Sequence, residues 1–282
     1  MNPDVFFTQL ILKAIKLKST DLHLTFRDDD FRCEMRTLNG LITIKNTHLE
    51  RSLLEYIKYI AKLDLLRNYK PQTGYCKIKL GNNTIQLRVA HIKNNVVESV
   101  VIRIMNPPSY LTLETLFRRE DIDRIKYQLQ RDSGLILISG STGSGKTTTL
   151  YAILNAYQNQ KIYTIEDPIE AYHDDLVQLQ VNETQGLSFN NALKQVLRHD
   201  PNIIVIGEIR DDEEAKAALR CALTGHLVFS TIHSNSADKT LNRLENLGLT
   251  RTEIESVLNM VIHQTLLIEE HKRRMTYELR LY

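Results

Sequence analysis

Residues 135–157 read LILISGSTGSGKTTTLYAILNAY. LILIS is an apolar run of the length and character of a buried strand, and KTTTLYAILNAY reads as a helix. Between them, Gly140-Ser141-Thr142-Gly143-Ser144-Gly145-Lys146-Thr147 fits the pattern GxxxxGK[ST]. Glycines let such a backbone curl, so that successive N–H groups point inward at a helix N-terminus and cradle a phosphate. Lys146 neutralises β- and γ-phosphates, and the Thr147 hydroxyl is a ligand for Mg²⁺. A chance glycine-rich turn is the plainer alternative. However, the chain has only 11 glycines, and three stand in this octapeptide. Strand, loop and helix in order mark residues 140–147, with Thr148 at their edge, as a nucleotide-phosphate site.

The rhythm around this stretch sets the architecture. Short apolar runs, KIYTI (161–165), IIVIG (203–207) and LVFSTI (227–232), alternate with helical stretches. Buried strands alternating with helices predict an α/β core over 117–282 with a predominantly parallel sheet and helices on both faces. Residues 1–104 read differently. DLHLTF (21–26) alternates, hairpins turn at Asn39-Gly40 and around GNNT (81–84), HLERSLLEYIKYIAKLDLL (48–66) is helical, and ESVVIRIM (98–105) is a further strand. Sequential hairpins predict a small α+β domain with a largely antiparallel sheet. Asn106-Pro107-Pro108-Ser109 breaks regular structure, and a linker is expected over 105–116.

Composition narrows the class. In 282 residues, 42% are hydrophobic and 25% charged, which is globular rather than disordered. No apolar run approaches the roughly 18 residues of a membrane span. The opening MNPDVFFTQLILKAIKLKSTD carries Asp4, Lys13, Lys16 and Lys18 and lacks a small-residue cleavage site, so a packed amphipathic helix is expected there, not a signal peptide. Cys33, Cys76 and Cys221 are scattered, which fits neither a zinc ribbon nor a disulfide framework. Net charge is +2, too small for a strongly basic nucleic-acid binder. The sum hides a split: residues 1–108 hold 17 Lys and Arg against 10 Asp and Glu, and residues 109–282 hold 19 against 24.

Three further clusters carry chemistry. Ile203–Glu208 is a buried strand closing on a carboxylate, with Gly207 where a generic phosphate-loop enzyme has Asp to hold Mg²⁺; Ile209-Arg210-Asp211 follows. Tyr163-Thr164-Ile165-Glu166-Asp167-Pro168-Ile169-Glu170 is a second strand running into carboxylates. In a parallel sheet both lie at the edge where the phosphate loop sits, one for the metal shell and one for the attacking water. The carboxylates of 166–170 and 208–214 are therefore expected around metal and nucleotide. His226 and His233 flank the strand LVFSTI, too few and too far apart for zinc. A polar Ser-Thr-x-His-Ser-Asn strand end suits a γ-phosphate sensor, while buried core histidines are the plainer reading.

Together these pieces resemble the secretion and type IV pilus ATPase superfamily. SGSTGSGKTTTLYA resembles its Walker A, TIEDPIE its Asp box, LRHDPNIIVIGEIRD its Walker B with Gly-Glu in place of Asp, and ALTGHLVFSTIHSNSA its His box. Ser19-Thr20-Asp21-Leu22-His23 resembles a motif opening the family's N-terminal domain. Arg88 and Arg103 stand where the family carries arginines that reach the nucleotide; read alone, they are alternating charges on the wet face of a strand. The chain departs from the pattern at Asn202 and at Thr265, and it lacks a tetracysteine zinc loop.

The resemblance implies a RecA-like core preceded by a PAS-like domain, with ATP and Mg²⁺ bound. Glu166 or Glu208 polarises the lytic water, Thr147 and Glu208 organise the metal, Arg88, Arg103 and Arg210 stabilise the departing phosphate, and His226 and His233 couple phosphate state to motion. It also implies a ring of six at the inner face of the plasma membrane. Such a ring drives a polytopic platform protein and pilin-like subunits, most like the competence-pseudopilus branch, with no direct nucleic-acid contact. A retraction or conjugation motor, and a nucleotide-gated scaffold with little turnover, are the alternatives. The charge split then reads as complementarity between domains.

Overall fold

A computed structural model of the chain describes residues 2–27, 30–37, 39–44, 51–66, 69–81, 83–105, 111–157, 159–269 and 272–282. The chain divides into two compact units, Met1–Pro107 and Pro108–Tyr282.

Among the described residues, the first unit is a six-stranded antiparallel sheet with two helices. Helix α1 (Pro3–Lys16) starts at Asn2, whose side chain accepts from the Asp4 amide, with Pro3 in the first turn. It buries Phe7, Leu10, Ile11 and Ala14, one helical stripe, while Val5 and Ile15 stay exposed. The strands are β1 (Asp21–Arg27), β2 (Asp30–Thr37), β3 (Gly40–Thr43), β4 (Gln72–Leu80), β5 (Asn83–Lys93) and β6 (Val97–Ile104), in the order β3-β2-β1-β6-β5-β4. Thr37 pairs with Gly40, so the first hairpin turns where the sequence places it. Helix α2 (Arg51–Ile60) is shorter than the 48–66 span expected. Its residues 48–50 lie outside the described residues, and Ala61–Leu66 leave the helix, with Lys62 at a φ of +57°. Alternate residues Leu22, Leu24 and Phe26 of β1 pack on α1 and α2 with Leu53, Leu54 and Ile57.

The second unit is an α/β structure with a mixed sheet. Helix α3 (Leu113–Leu116) lies within the expected linker span but belongs to this unit, because Leu113 is buried in its core. The Asn106–Ser109 break lies outside the described residues. There follow α4 (Arg119–Leu129), β7 (Gly134–Ser139), α5 (Lys146–Leu154), β8 (Ile162–Glu166), β9 (Val177–Gln180), α6 (Phe189–Val196), β10 (Ile203–Ile209), α7 (Asp212–Leu223), β11 (Leu227–Ile232), α8 (Ala237–Asn246), α9 (Arg251–Val257), β12 (Leu258–Glu269) and β13 (Lys272–Leu281). The strand order is β13-β12-β7-β11-β10-β8-β9. The pairings from β12 to β9 are parallel, and β13 runs antiparallel to β12. Along β7, Leu135 and Leu137 enter a core with α6–α9, while Ile136 and Ile138 enter another with α4 and α5. Burial on both faces is why these strands read as unbroken apolar runs.

Candidate nucleotide-binding site

Strands β7, β11, β10 and β8 are neighbours in that order and parallel, so the chain leaving their C-terminal ends shares one sheet edge. β7 leads into the 140–145 loop, β8 ends on Glu166, β10 carries Glu208, and β11 leads to His233. Thr142–Thr149, Glu166, Glu208, Arg210 and His233 line one cavity of about 830 Å³.

The loop needs glycine at its first position. Gly140 has a φ of +151°, and a Cβ there would stand 2.4 Å from the Gln264 carbonyl oxygen and 2.6 Å from Ser144 Oγ. Strand β12 clamps the loop at that point, where Gln264 Nε2 donates to the Ser144 carbonyl at 2.6 Å. Ser144 Oγ is buried without a hydrogen-bond partner among the described residues. Ser141, Thr142 and Gly143 form an exposed tip, while Thr147 and Thr148 are half-buried in the first turn of α5. Lys146 is buried, and its Nζ donates to the carbonyls of Gly140 and Ser141, both at 3.1 Å. Burial lowers its pKa, and the charges of Glu208 and Glu170 oppose that. An ammonium held on two neutral carbonyls beside a helix N-terminus can exchange them for phosphate oxygens. The glycine cradle and the orphaned Ser144 hydroxyl fit such a ligand.

The two carboxylates have different surroundings. Glu166 is buried, and its Oε1 accepts from Tyr151 Oη at 2.8 Å, Thr164 Oγ1 at 2.6 Å and Gln178 Nε2 at 3.0 Å. Glu208 sits in a bulge: between Ile206 and Ile209 the register of β10 against β11 shifts, and Thr231 Oγ1 donates to the Gly207 carbonyl at 2.8 Å. The extra residue re-aims Glu208 toward the cavity. Its Oε2 accepts from Arg210 Nε at 2.8 Å, and its Oε1 lies 2.7 Å from His233 Nε2. Arg210 also donates to the Asp167 carbonyl at 3.1 Å, and its bond to Glu208 raises its pKa.

Within the second unit, the structure does not bring every expected residue to this edge. His226 precedes β11, and that six-residue strand separates it from His233. It therefore stands at the opposite end of the sheet, where its Nδ1 lies 3.2 Å from the Cys221 carbonyl oxygen. Arg88 and Arg103 are cross-strand partners on β5 and β6 of the first unit, and Arg103 Nε donates to Asp21 Oδ1 at 2.8 Å. Burial raises the Asp21 pKa, but the bonds from Arg103 and Thr20 outweigh it, leaving it lowered. Of the acidic run 208–214, Glu208 and Glu214 line the cavity, whereas Asp211, Asp212 and Glu213 do not.

Several cavity residues escape sequence reading. Gln264, Arg274 and Met275 line it from β12 and β13, and Tyr151 and Gln178 hold Glu166 from behind. The alternation of Met275, Tyr277, Leu279 and Leu281, all packed on the core, is the signal that marks the tail as a strand.

A model of the type II/IV secretion system protein family matches residues 4–277. The chain belongs to that family. It is 36% identical over 265 residues to the competence protein ComGA of Bacillus subtilis, covering 91% of this chain and 74% of that protein. It is also 36% identical over 269 residues to the type IV pilus assembly ATPase PilB of Acinetobacter baylyi; that match covers 93% of this chain and 46% of PilB, about half its length. Among solved structures, the pilus retraction motor PilT with bound ADP superposes with a TM-score of 0.77 at 25% identity, covering 97% of this chain and 82% of PilT. Against the family pattern, Asn202 is accounted for. Its Oδ1 accepts from the Lys161 amide at 2.8 Å, at the N-terminal ends of β8 and β10, away from the cavity. Thr265 is exposed on β12.

Proposed function

We propose that this chain is an ATP-hydrolysing motor that powers assembly of a competence pseudopilus or a related type IV pilus-like filament. The observation that carries the reading is the convergence, at one sheet edge, of a glycine-cradled lysine with two carboxylates in a cavity of about 830 Å³, a volume suited to a small-molecule ligand. The competence and pilus-assembly relatives supply the destination of the work. On this reading 117–282 is a RecA-like core and 1–104 a PAS-like domain, joined by a linker within 105–116. The chain works as a ring of six on the inner face of the plasma membrane, against a polytopic platform protein and pilin-like subunits, without direct nucleic-acid contact. Among the described residues, no helix is long and apolar enough to cross a membrane.

The chemistry follows from the residues. ATP phosphates take the place of the two carbonyls on Lys146. Thr147 and Glu208 are the residues that would hold Mg²⁺, an oxygen-seeking ion, through a hydroxyl and a carboxylate. Bound there, the ion would supply positive charge to neutralise the phosphates. Glu208 has both oxygens engaged by Arg210 and His233, whereas Glu166 meets neutral donors on one oxygen. Glu166 therefore takes the proton of the water that attacks the γ-phosphorus, as the bond to the β–γ bridging oxygen breaks and ADP and phosphate leave. Arg210, with Arg88 and Arg103 from the first unit, balances the charge on the departing phosphate, a role worth about 10³–10⁵ in rate for arginine fingers. His233 reports phosphate state through Glu208.

Phosphate release by the full chain tests this. Lys146→Ala and Glu208→Gln should each slow turnover by about 10²-fold or more. A wild type no faster than either variant would remove the motor reading. Arg88→Ala and Arg103→Ala should cut turnover more than ATP affinity. The likeness to PilT favours retraction as the second reading. Co-purification of pilin-like subunits and a platform protein with a tagged copy supports assembly; their absence supports the alternative.

A further inference from the structure

We infer that Tyr151, with Thr164 and Gln178, is a positioning residue for Glu166, and that it ties this carboxylate to the phosphate loop. The inference rests on the assignment of Glu166 to the lytic water proposed above. Three donors from three elements (α5, β8 and β9) meet on one oxygen, Glu166 Oε1, at 2.6–3.0 Å. A glutamate side chain turns about three torsions. Three donors on Oε1 stop that rotation and leave Oε2 as the oxygen to receive a proton. The donors are neutral, so they orient the carboxylate without cancelling its charge.

The donors are themselves held. Tyr151 is 3% exposed, and its ring stacks on His173 at 4.1 Å with planes 18° apart. Gln178 Nε2 also donates to Tyr151 Oη at 3.0 Å and to the Ala171 carbonyl at 2.9 Å, and Gln178 Oε1 accepts from the His173 amide at 2.7 Å. Phenylalanine would fill the same apolar slot without a buried hydroxyl to satisfy, so the hydroxyl is present for what it bonds. Burial and Glu166 raise the Tyr151 pKa, which keeps the phenol a donor. Tyr151 stands one helical turn after Thr147, on the same face of α5. A shift of that first turn as phosphate enters or leaves reaches Glu166 through a single hydrogen bond.

The test compares the full-length wild type with Tyr151→Phe, which keeps the ring and its stack. Expected is a fall in kcat of about 10- to 100-fold, from a misplaced base. The dissociation constant of a fluorescent non-hydrolysable ATP analogue should stay within about twofold. Thr164→Val should behave likewise, and it serves in place of Tyr151→Phe should that variant not fold. A kcat within about twofold of wild type, or equal loss of kcat and affinity, overturns the inference. Glu166→Gln separates the two layers. If it keeps near-wild-type turnover, the water assignment falls and the inference with it. If it abolishes turnover while Tyr151→Phe and Thr164→Val do not slow it, only the positioning role falls.

Discussion

At position 207 a side chain would be costly for a reason outside its own strand. A Cβ on Gly207 would stand 3.1 Å from Glu166 Cγ and 3.3 Å from the Ile165 carbonyl oxygen, on the neighbouring strand β8. Contact that tight forces Glu166 to give by a few tenths of an ångström. Gly207→Ala should therefore slow ATP turnover by about tenfold while costing about 1–3 kcal/mol of stability, the usual range for overpacking. Turnover measured beside thermal unfolding checks it, and an unchanged kcat would show that Glu166 tolerates the shift. The glycine-glutamate pair itself is visible in the sequence. Its reason is not, because the atom it makes room for lies 41 positions away and meets it only through strand pairing. The phosphate loop is the opposite case: Lys146, Thr147 and the glycines act through one continuous segment, so their chemistry is legible from spacing.

The acidic run after Glu208 shows what an element does to a motif. Asp211 caps α7, its side chain accepting from the Glu214 amide at 3.0 Å, and Asp212, Glu213 and Glu214 occupy the first turn. Carboxylates there complement the helix dipole. Apart from Glu214, whose pKa burial raises, this group belongs to the helix start rather than the cavity. Asp211→Ala should cost about 1 kcal/mol in urea unfolding, as N-cap deletions do; no change in the midpoint would mean that the backbone alone holds this turn. Strand β13 is the converse. Its alternation is legible in the sequence, yet its place is not, since pairing with β12 decides that Arg274 and Met275 reach the cavity.

At the scale of the whole molecule, buried charge couples folding to pH. The first unit buries an ionic cluster in which Glu98 Oε1 meets Lys58 Nζ at 3.3 Å and His91 Nε2 at 2.8 Å, and Glu98 Oε2 meets Lys93 Nζ at 3.3 Å. Burial raises the Glu98 pKa, but the His91 bond and the Lys58 and Lys93 charges outweigh it and leave it below its ordinary 4.5. A depressed carboxylate pKa contributes stability above its unfolded value, and that stability is lost as pH falls through the folded one. Glu98→Gln should cost about 1–3 kcal/mol at pH 7, because buried Lys58 then keeps only Glu55, at 3.1 Å, as its counter-charge. The difference from wild type should shrink below pH 4.5. Denaturant unfolding at both pH values checks this; a gap that does not narrow would place the stabilisation elsewhere.

The sequence by itself determined the elements that rest on local physics. The phosphate loop follows from glycine spacing, the doubly buried strands from unbroken apolar runs, and the hairpins of the first unit from alternation and Asn39-Gly40. Only the tertiary structure decided which polar groups meet. Parallel pairing sends Glu166, Glu208 and His233 to one sheet edge and leaves His226 at the other. Packing sets Tyr151 against Glu166 and Gln264 against the phosphate loop. Those contacts join residues 15 and 120 positions apart, and no periodicity along a chain encodes a distance that only folding closes.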